Sequence, residues 1–348
     1  MTRPTQFKRI VLNSRPDGDI EPNTFRTEVL PFSSLTPGKD QVLVQCTWLS
    51  LDPAMRGYIR DVRSYLPPVQ IGEVMRAGGL GVVIRTGPGS KFRVGDHVYG
   101  PWGMTEYAVM ADKTLEKLDI LPGVKPLDYL SVLGSSGLTA YFGLKKIGEL
   151  KAGEKLVVSG AAGSVGSIAC QLGKAAGAKV YAIAGSDDKC KWLQSELGVD
   201  RAFNYKSPTF FKDIKEIGYL DVYFDNVGGD MLDFMLTRLN KDARIVLCGA
   251  ISAYNAAVPK GLQRYLNLIS QRAKIQGFIV FDYASEYASA RKELAKGLSS
   301  GTIKRKFHIV EGGIEQAPIS LPMLFSGGNT GKLVVKVSEE PKVAQAKL

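Results

Sequence analysis

Residues 157–174, VVSGAAGSVGSIACQLGK, space Gly160, Gly163 and Gly166 three apart between an apolar run and a helical one. Glycines in that position act through the side chain they lack. The first permits a tight turn, a residue without Cβ lets the backbone approach a pyrophosphate, and the third lets helix and sheet pack closely. The helix that follows presents unpaired N–H groups and the positive end of its dipole. Val165, Ile168, Ala169 and Leu172 recur at i, i+3, i+4 and i+7, one face of that helix. Gly177 closes it, and KVYAIA forms the next strand. The unit 155–184 has the length of a βαβ crossover, so the turn reads as a nucleotide site rather than a structural turn.

An NAD site carries an acid near the end of its second strand, about 20 residues on, to hold the ribose 2′-hydroxyl. Gly185 stands there, and Asp187 and Asp188 follow two and three residues later, so the acid test stays open. Lys189 comes next, and Tyr205 with Lys206 closes the third strand in FNYK. A cation and a phenol there would accept a 2′-phosphate, which favours NADP. The alternative for Lys189 is an exposed helix lysine.

Other machinery is sparse. His97 and His308 are the two histidines, and no spacing of His, Cys or Glu suits zinc, so no metal is expected. His97 lies in VGDHVYG, which reads as a turn between strands. No G-x-S-x-G elbow occurs, and GSSG at 134–137 reads as a small-residue loop. Cys46, Cys170, Cys190 and Cys248 form no C-x-x-C pair and read as reduced thiols. Hydride transfer from a nicotinamide needs positioning more than a strong base, so a site without metal suffices. Arg56 reads as half of a structural ion pair in preference to a grip on an acidic substrate group.

The elements that must position these residues fall into two parts. Residues 1–130 are rich in strands and loops: 41–52, 79–87 and 105–110 have strand composition, with Gly and Pro clusters between them. From about 131 strands and helices alternate. Strand-like runs are 155–159, 179–184, 201–204, 220–225, 244–248 and 274–280; helix-like runs are 164–176, 187–197, 208–216, 229–239, 260–272 and 283–299. Alternation with six strands predicts an α/β fold, a doubly wound parallel Rossmann sheet occupying 131–305. The stretch 306–337 returns to strand–helix–strand, and 306–348 is expected to complete the first domain.

The chain has 348 residues, 45% hydrophobic and 23% charged, which fits two globular domains without disulfide staples. The net charge of +11 comes from dispersed Lys and Arg with no aromatic–basic motif, so a solvated basic surface is favoured over nucleic-acid binding. The N-terminus shows no apolar signal core, and no run approaches the length of a membrane span. A cytoplasmic location is expected. Ala346, Lys347 and Leu348 resemble an S-K-L peroxisomal address with Ala for Ser, which keeps a peroxisomal alternative open.

Ordered segments then add up to a family. DPAMRG (52–57), GLTAYFGL (137–144), GAAGSVG (160–166), GSDDK (185–189), FNYK (203–206), FDNVGG (224–229), CGAISAYN (248–255), GFIV (277–280) and GNTGK (328–332) together resemble the medium-chain dehydrogenase/reductases. Within them the chain is similar to the zinc-independent, NADPH-dependent alkenal/enone double-bond reductases. The resemblance implies a GroES-like β-rich domain beside the Rossmann domain, with the active site in the cleft between them, and a homodimer. It implies that Gly163, Ser164, Val165 and Gly166 hold the pyrophosphate of NADP, and that Lys189 and Tyr205 hold its 2′-phosphate. Asn226 and the segment Cys248, Gly249, Ala250, Ile251, Ser252 would line the cofactor. Phe278, Ile279 and Val280 would hold the carboxamide through backbone groups, and Asn329 would close over it.

The implied reaction is hydride delivery to the β-carbon of an α,β-unsaturated aldehyde or ketone, with Tyr254 stabilising the enolate oxygen. The alternative for Tyr254 is an aromatic pocket wall. The alternative chemistry is quinone reduction. The chain departs from the pattern at Ala54, where relatives often carry an aromatic residue near the substrate mouth, and at Ser135 and Ser136. Both departures bear on substrate identity.

Overall fold

A six-stranded parallel sheet forms one half of the molecule and a seven-stranded, mostly antiparallel sheet the other. The computed structural model describes residues 4–118 and 120–341. Ala346, Lys347 and Leu348 therefore lie outside the described residues. No helix among the described residues is long and apolar enough to cross a membrane.

The parallel sheet uses Lys155–Val158, Lys179–Ala184, Arg201–Asn204, Leu220–Asp225, Leu239–Leu247 and Lys274–Gly277. Their spatial order is third, second, first, fourth, fifth, sixth. That is the order of a full dinucleotide fold, with its crevice where the strand order reverses, between the first and fourth strands. Side chains alternate across it. Leu156, Val158, Ala182 and Phe224 enter one core, while Val157, Ile183, Phe203 and Tyr223 enter another on the opposite face.

The second sheet runs through Phe307–Val310, Lys332–Lys336, Gln41–Ser50, Gly79–Thr86, His97–Gly100 and Glu116–Lys117, with Tyr107–Ala111 also on Gln41–Ser50. A hairpin of Gln6–Leu12 and Phe25–Pro31 packs beside it. Val334, Val335 and Lys336 pair antiparallel with Ser50, Leu49 and Trp48, so the end of the chain is built into the sheet that its beginning forms.

Several elements differ from expectation for local reasons. The fifth strand of the parallel sheet starts at Leu239, because buried Leu239 pairs with Leu220 before a register shift at exposed Lys241 and Asp242. The sixth ends at Gly277, where pairing with Leu247 stops. Helix 260–272 shrinks to Leu266–Gln271, since Pro259 and Gly261 precede it. GSSG is not a loop: Ser135 opens the helix Ser135–Phe142. A Cβ at Gly134 would meet the Tyr129 carbonyl and one at Gly137 the Val132 carbonyl, so these glycines serve close packing. His97 is the first residue of a strand, and its Nδ1 lies 3.8 Å from Glu340.

Candidate functional site

The glycine turn joins the first parallel strand to the twelve-residue helix Ser164–Ala175. Gly160 takes φ +56°, a conformation that side chains disfavour. A Cβ on Gly166 would lie 2.8 Å from Ala161 Cα and closer still to the Gly160 carbonyl, so only glycine lets helix and strand approach here. Gly163 has ordinary φ, and a Cβ there would meet nothing within 4 Å except the Gly160 oxygen. The room in front of it is open. Ser164 Oγ is buried without a hydrogen-bond partner at the first residue of the helix. An open face, an orphan hydroxyl and a helix N-terminus together fit a bound pyrophosphate.

The far end of the chain returns to this turn. The Gly331 N–H donates to the Ala162 carbonyl at 2.8 Å, and Gly331 forms a bridge with Gly163. Asn329 Nδ2 donates to the Gly331 carbonyl at 2.9 Å. Lys332, 1% exposed, then donates from Nζ to the Leu51 carbonyl at 3.0 Å and pairs with Asp52, which also accepts the Ser50 hydroxyl. An ion pair between buried Lys332 and half-buried Asp52 thus ties GNTGK to DPAMRG. Ala54 follows at the N-cap of the short helix Met55–Tyr58, so the expected mouth residue stands two residues from that pair.

The region expected to take the adenosine end is cationic. Lys189 Nζ donates to the Gly327 carbonyl at 2.7 Å. Burial, and then the charge of Lys206, lowers its pKa below the ordinary lysine value. Lys206 lies over the Tyr205 ring, 5.9 Å from its centroid. A Cβ on Gly185 would sit 3.0 Å from that same ring. Tyr205 therefore crowds out a side chain at the position where NAD sites carry an acid. Asp187 is occupied by Asn204 Nδ2 at 2.8 Å. Two cations and a phenol, with Asp187 engaged by Asn204 and a side chain excluded at Gly185, fit a phosphate rather than a ribose hydroxyl pair.

The region expected to line the nicotinamide is organised by a residue that sequence reading passed over. Asp225, 0% exposed, accepts the Ser159 hydroxyl at 2.7 Å and the N–H groups of Val227 and Gly228 at 3.0 Å. Its own carbonyl accepts the N–H of Cys248 at 2.9 Å and of Gly249 at 3.1 Å. Asn226 donates from its backbone to Ser159 Oγ at 2.9 Å and from Nδ2 to the Ser159 carbonyl at 2.7 Å. Ile251 and Ser252 donate their N–H groups to the Asn226 and Val227 carbonyls. Segment 248–252 is thereby laid against the end of the fourth strand. The signal for Asp225 was present in FDNVGG: an acid ending an apolar strand must find donors there.

Tyr254 follows the turn Ile251–Ala253, and its hydroxyl accepts the Ala250 N–H at 3.2 Å. Burial raises its pKa above that of an ordinary phenol, opposed by that N–H. The hydroxyl stays protonated at neutral pH. Having accepted from the backbone, it keeps its own proton to donate. Phe278 packs against the core in the room that Gly143 leaves, and the Val280 carbonyl accepts the Tyr287 hydroxyl at 3.0 Å. Tyr65, from the loop after Met55–Tyr58, reaches Phe281 with ring centroids 6.2 Å apart and Tyr58 at 6.4 Å. Loop aromatics of this kind carry no periodic signal, which is why Tyr58 and Tyr65 escaped notice.

Arg56 is corrected. It is fully buried and makes neither a carboxylate pair nor an open anion site. Its donors go to the carbonyls of Pro16 at 2.9 Å and Gly18 at 2.7 Å. Among the described residues no group of three or more His, Cys, Asp or Glu is arranged to hold a metal ion.

Comparison with known proteins agrees with this geometry. Residues 8–118 match the model of the N-terminal domain of oxidoreductase, and residues 164–296 match that described as zinc-binding dehydrogenase. The NADPH-dependent curcumin reductase of Escherichia coli is 37% identical over 339 residues, 95% of this chain and 97% of its own. The NADP-dependent 2-alkenal reductase of Nicotiana tabacum is 34% identical, covering 98% of this chain and all of its own. The crystal structure of CurA from Vibrio vulnificus in complex with NADPH superposes with TM-score 0.89 at 38% identity, covering 95% of this chain and 99% of that one. The chain belongs to the medium-chain dehydrogenase/reductases, in the zinc-independent group that holds the curcumin, 2-alkenal and prostaglandin reductases.

Proposed function

We propose that this protein reduces the carbon–carbon double bond of α,β-unsaturated aldehydes and ketones, using NADPH. The observation that carries the reading is the Tyr254 hydroxyl, bonded to the Ala250 N–H at 3.2 Å and left with a proton to give. NADPH, when bound, would supply the hydride that the β-carbon of the substrate accepts. Gly163, Ser164, Val165 and Gly166 hold its pyrophosphate, Lys189 and Tyr205 its 2′-phosphate. Asn226 and residues 248–252 line the nicotinamide side, with Phe278, Ile279, Val280 and Asn329 around it. Negative charge gathers on the substrate oxygen as the β-carbon gains its hydrogen, Tyr254 donates a hydrogen bond to that oxygen, and the enolate then takes a proton from solvent water at the α-carbon, leaving the saturated carbonyl and hydroxide. A preorganised donor of this kind contributes roughly 2.7–4 kcal/mol. Ala54 shapes the mouth. Residues 1–130 with 306–348 form the substrate-side domain and 131–305 the nucleotide-binding domain, supported by the pairing of Lys332–Lys336 with Gln41–Ser50. Two copies associate through the open edge of the parallel sheet.

The test is NADPH oxidation by the purified protein with enals, enones and quinones, NADH as control, and identification of the product. Saturated aldehydes or ketones are expected, and Tyr254→Phe should lower kcat by roughly 10²–10³. Allylic alcohols or reduced quinones alone would overturn the double-bond chemistry. A fully active Tyr254→Phe would remove Tyr254 from it.

A further inference from the structure

Helix Met55–Tyr58 carries Arg56, and Arg60 follows two residues past its end, four positions from Arg56. Like charges at that spacing repel. Burial first, and then Arg60, lowers the pKa of Arg56, so the pair costs stability unless each guanidinium has work elsewhere. Both spend donors on distant backbone carbonyls. Arg56 fastens Pro16 and Gly18. Arg60 Nη2 reaches the Ala256 carbonyl at 2.7 Å, 196 residues away.

The carbonyl that Arg60 grips lies two residues beyond Tyr254. The residue between them, Asn255, donates from Nδ2 to Asp19 Oδ1 at 2.7 Å, and Asp19 adjoins the Gly18 that Arg56 holds. Tyr254 thus sits between two anchors. Its N-terminal flank is laid on the Asp225–Val227 carbonyls of the parallel sheet. Its C-terminal flank is held from the other domain by Arg60 and Asp19. Residues 257–261 are exposed, and the next side-chain anchor beyond Ala256 is Lys260, which donates to Asp230 of the nucleotide-binding half at 2.6 Å, so Arg60 and Asp19 are the contacts that tie the stretch just after Tyr254 to the other domain.

We propose that Arg60 is a positioning residue for Tyr254: its grip on the Ala256 carbonyl fixes where the Tyr254 hydroxyl meets the substrate oxygen. The proposal rests on Tyr254 being the hydrogen-bond donor of the reaction above. Ala54 caps the start of Met55–Tyr58 and Arg60 follows its end, so the expected mouth residue and the grip on the Tyr254 segment come from one short stretch of chain.

The test is a double-mutant cycle on an enone substrate, with wild type, Arg60→Ala, Tyr254→Phe and the double variant. NADPH affinity by cofactor fluorescence and thermal unfolding are measured alongside. Arg60→Ala should lower kcat about tenfold while NADPH affinity changes less than about twofold, because a donor displaced by a fraction of an ångström loses transition-state stabilisation without losing cofactor contacts. Arg60→Lys should restore most of the rate, since an ammonium also donates to a carbonyl. In the Tyr254→Phe background Arg60→Ala should change kcat less than about twofold. Equal losses in both backgrounds, or no loss in the first, would overturn the positioning role while leaving enone reduction standing. A wild-type protein that turns over no enone would instead overturn the reaction, and this role with it.

Discussion

Lys189 is the side chain we propose to select the cofactor. Its ammonium rests on the Gly327 carbonyl and is destabilised by burial and by Lys206. A phosphate with close to two negative charges between the two lysines would relieve both effects. A hydrogen bond to a charged group contributes about 1.5–3 kcal/mol, so Lys189→Ala should raise the KM for NADPH roughly 10- to 150-fold and leave that for NADH nearly unchanged. The pH dependence has a definite sign. Lys189 without cofactor has a lowered pKa, so its charge is lost on the alkaline side earlier than for an ordinary lysine. NADPH affinity should therefore fall with rising pH before NADH affinity does; fluorescence titration of both cofactors across the alkaline range checks it. The cysteines are set for the opposite purpose. Burial pushes the Cys46 and Cys248 thiols up to about 12 and that of Cys190 to about 11. Thiolate is the reactive form, so an electrophilic enal meets little of it in the folded protein.

The strand–turn–helix unit shows what local sequence can and cannot tell. Gly166→Ala places a Cβ 2.8 Å from Ala161 Cα, against backbone that cannot rotate away. Overpacking of this kind costs about 1–3 kcal/mol, and the shifted helix should also weaken NADPH binding; thermal unfolding and cofactor titration read the two effects. This unit was legible because its signals are close in sequence: apolar strand, glycines at fixed spacing, then one apolar helix face. The six parallel strands were legible for the same reason. Lys332 and Asp52 were not, because nothing in either segment says that they meet across 280 residues to form an ion pair with the lysine buried. Arg56 was misread because an arginine in sequence looks like half of a charge pair, whereas its partners are carbonyls of a loop 40 residues earlier. The helix Ser135–Phe142 was misread because glycine was taken as loop composition, when Gly134 and Gly137 are there to clear the carbonyls of Tyr129 and Val132. In each case the missing information is tertiary. The cofactor motifs could be quoted from sequence, but the residues that hold them in place could not.

The parallel sheet ends on one side at Lys274–Gly277, which pairs with Leu239–Leu247 and with no further strand among the described residues. Free strand edges in native proteins are usually covered or paired. No further strand among the described residues pairs with this edge, and the helix before it, Leu266–Gln271, has no buried residue. Val258, Leu266 and Ile269 are 86%, 62% and 73% exposed, a density of bare apolar side chains that single copies of soluble proteins seldom carry. An edge strand can pair antiparallel with its own copy about a two-fold axis, and such closed, isologous contacts are the commonest route to dimers. Joining two copies this way would extend six strands to twelve and cover Leu266 and Ile269 at the same time. Sedimentation equilibrium should accordingly give twice the chain mass. Changing Leu266 and Ile269 together to Glu should give single chains that still bind NADPH, because every residue assigned to the cofactor lies within one copy. A wild-type protein that sediments as a single chain would refute the association, and a Leu266→Glu, Ile269→Glu protein that remains paired would move it to another face.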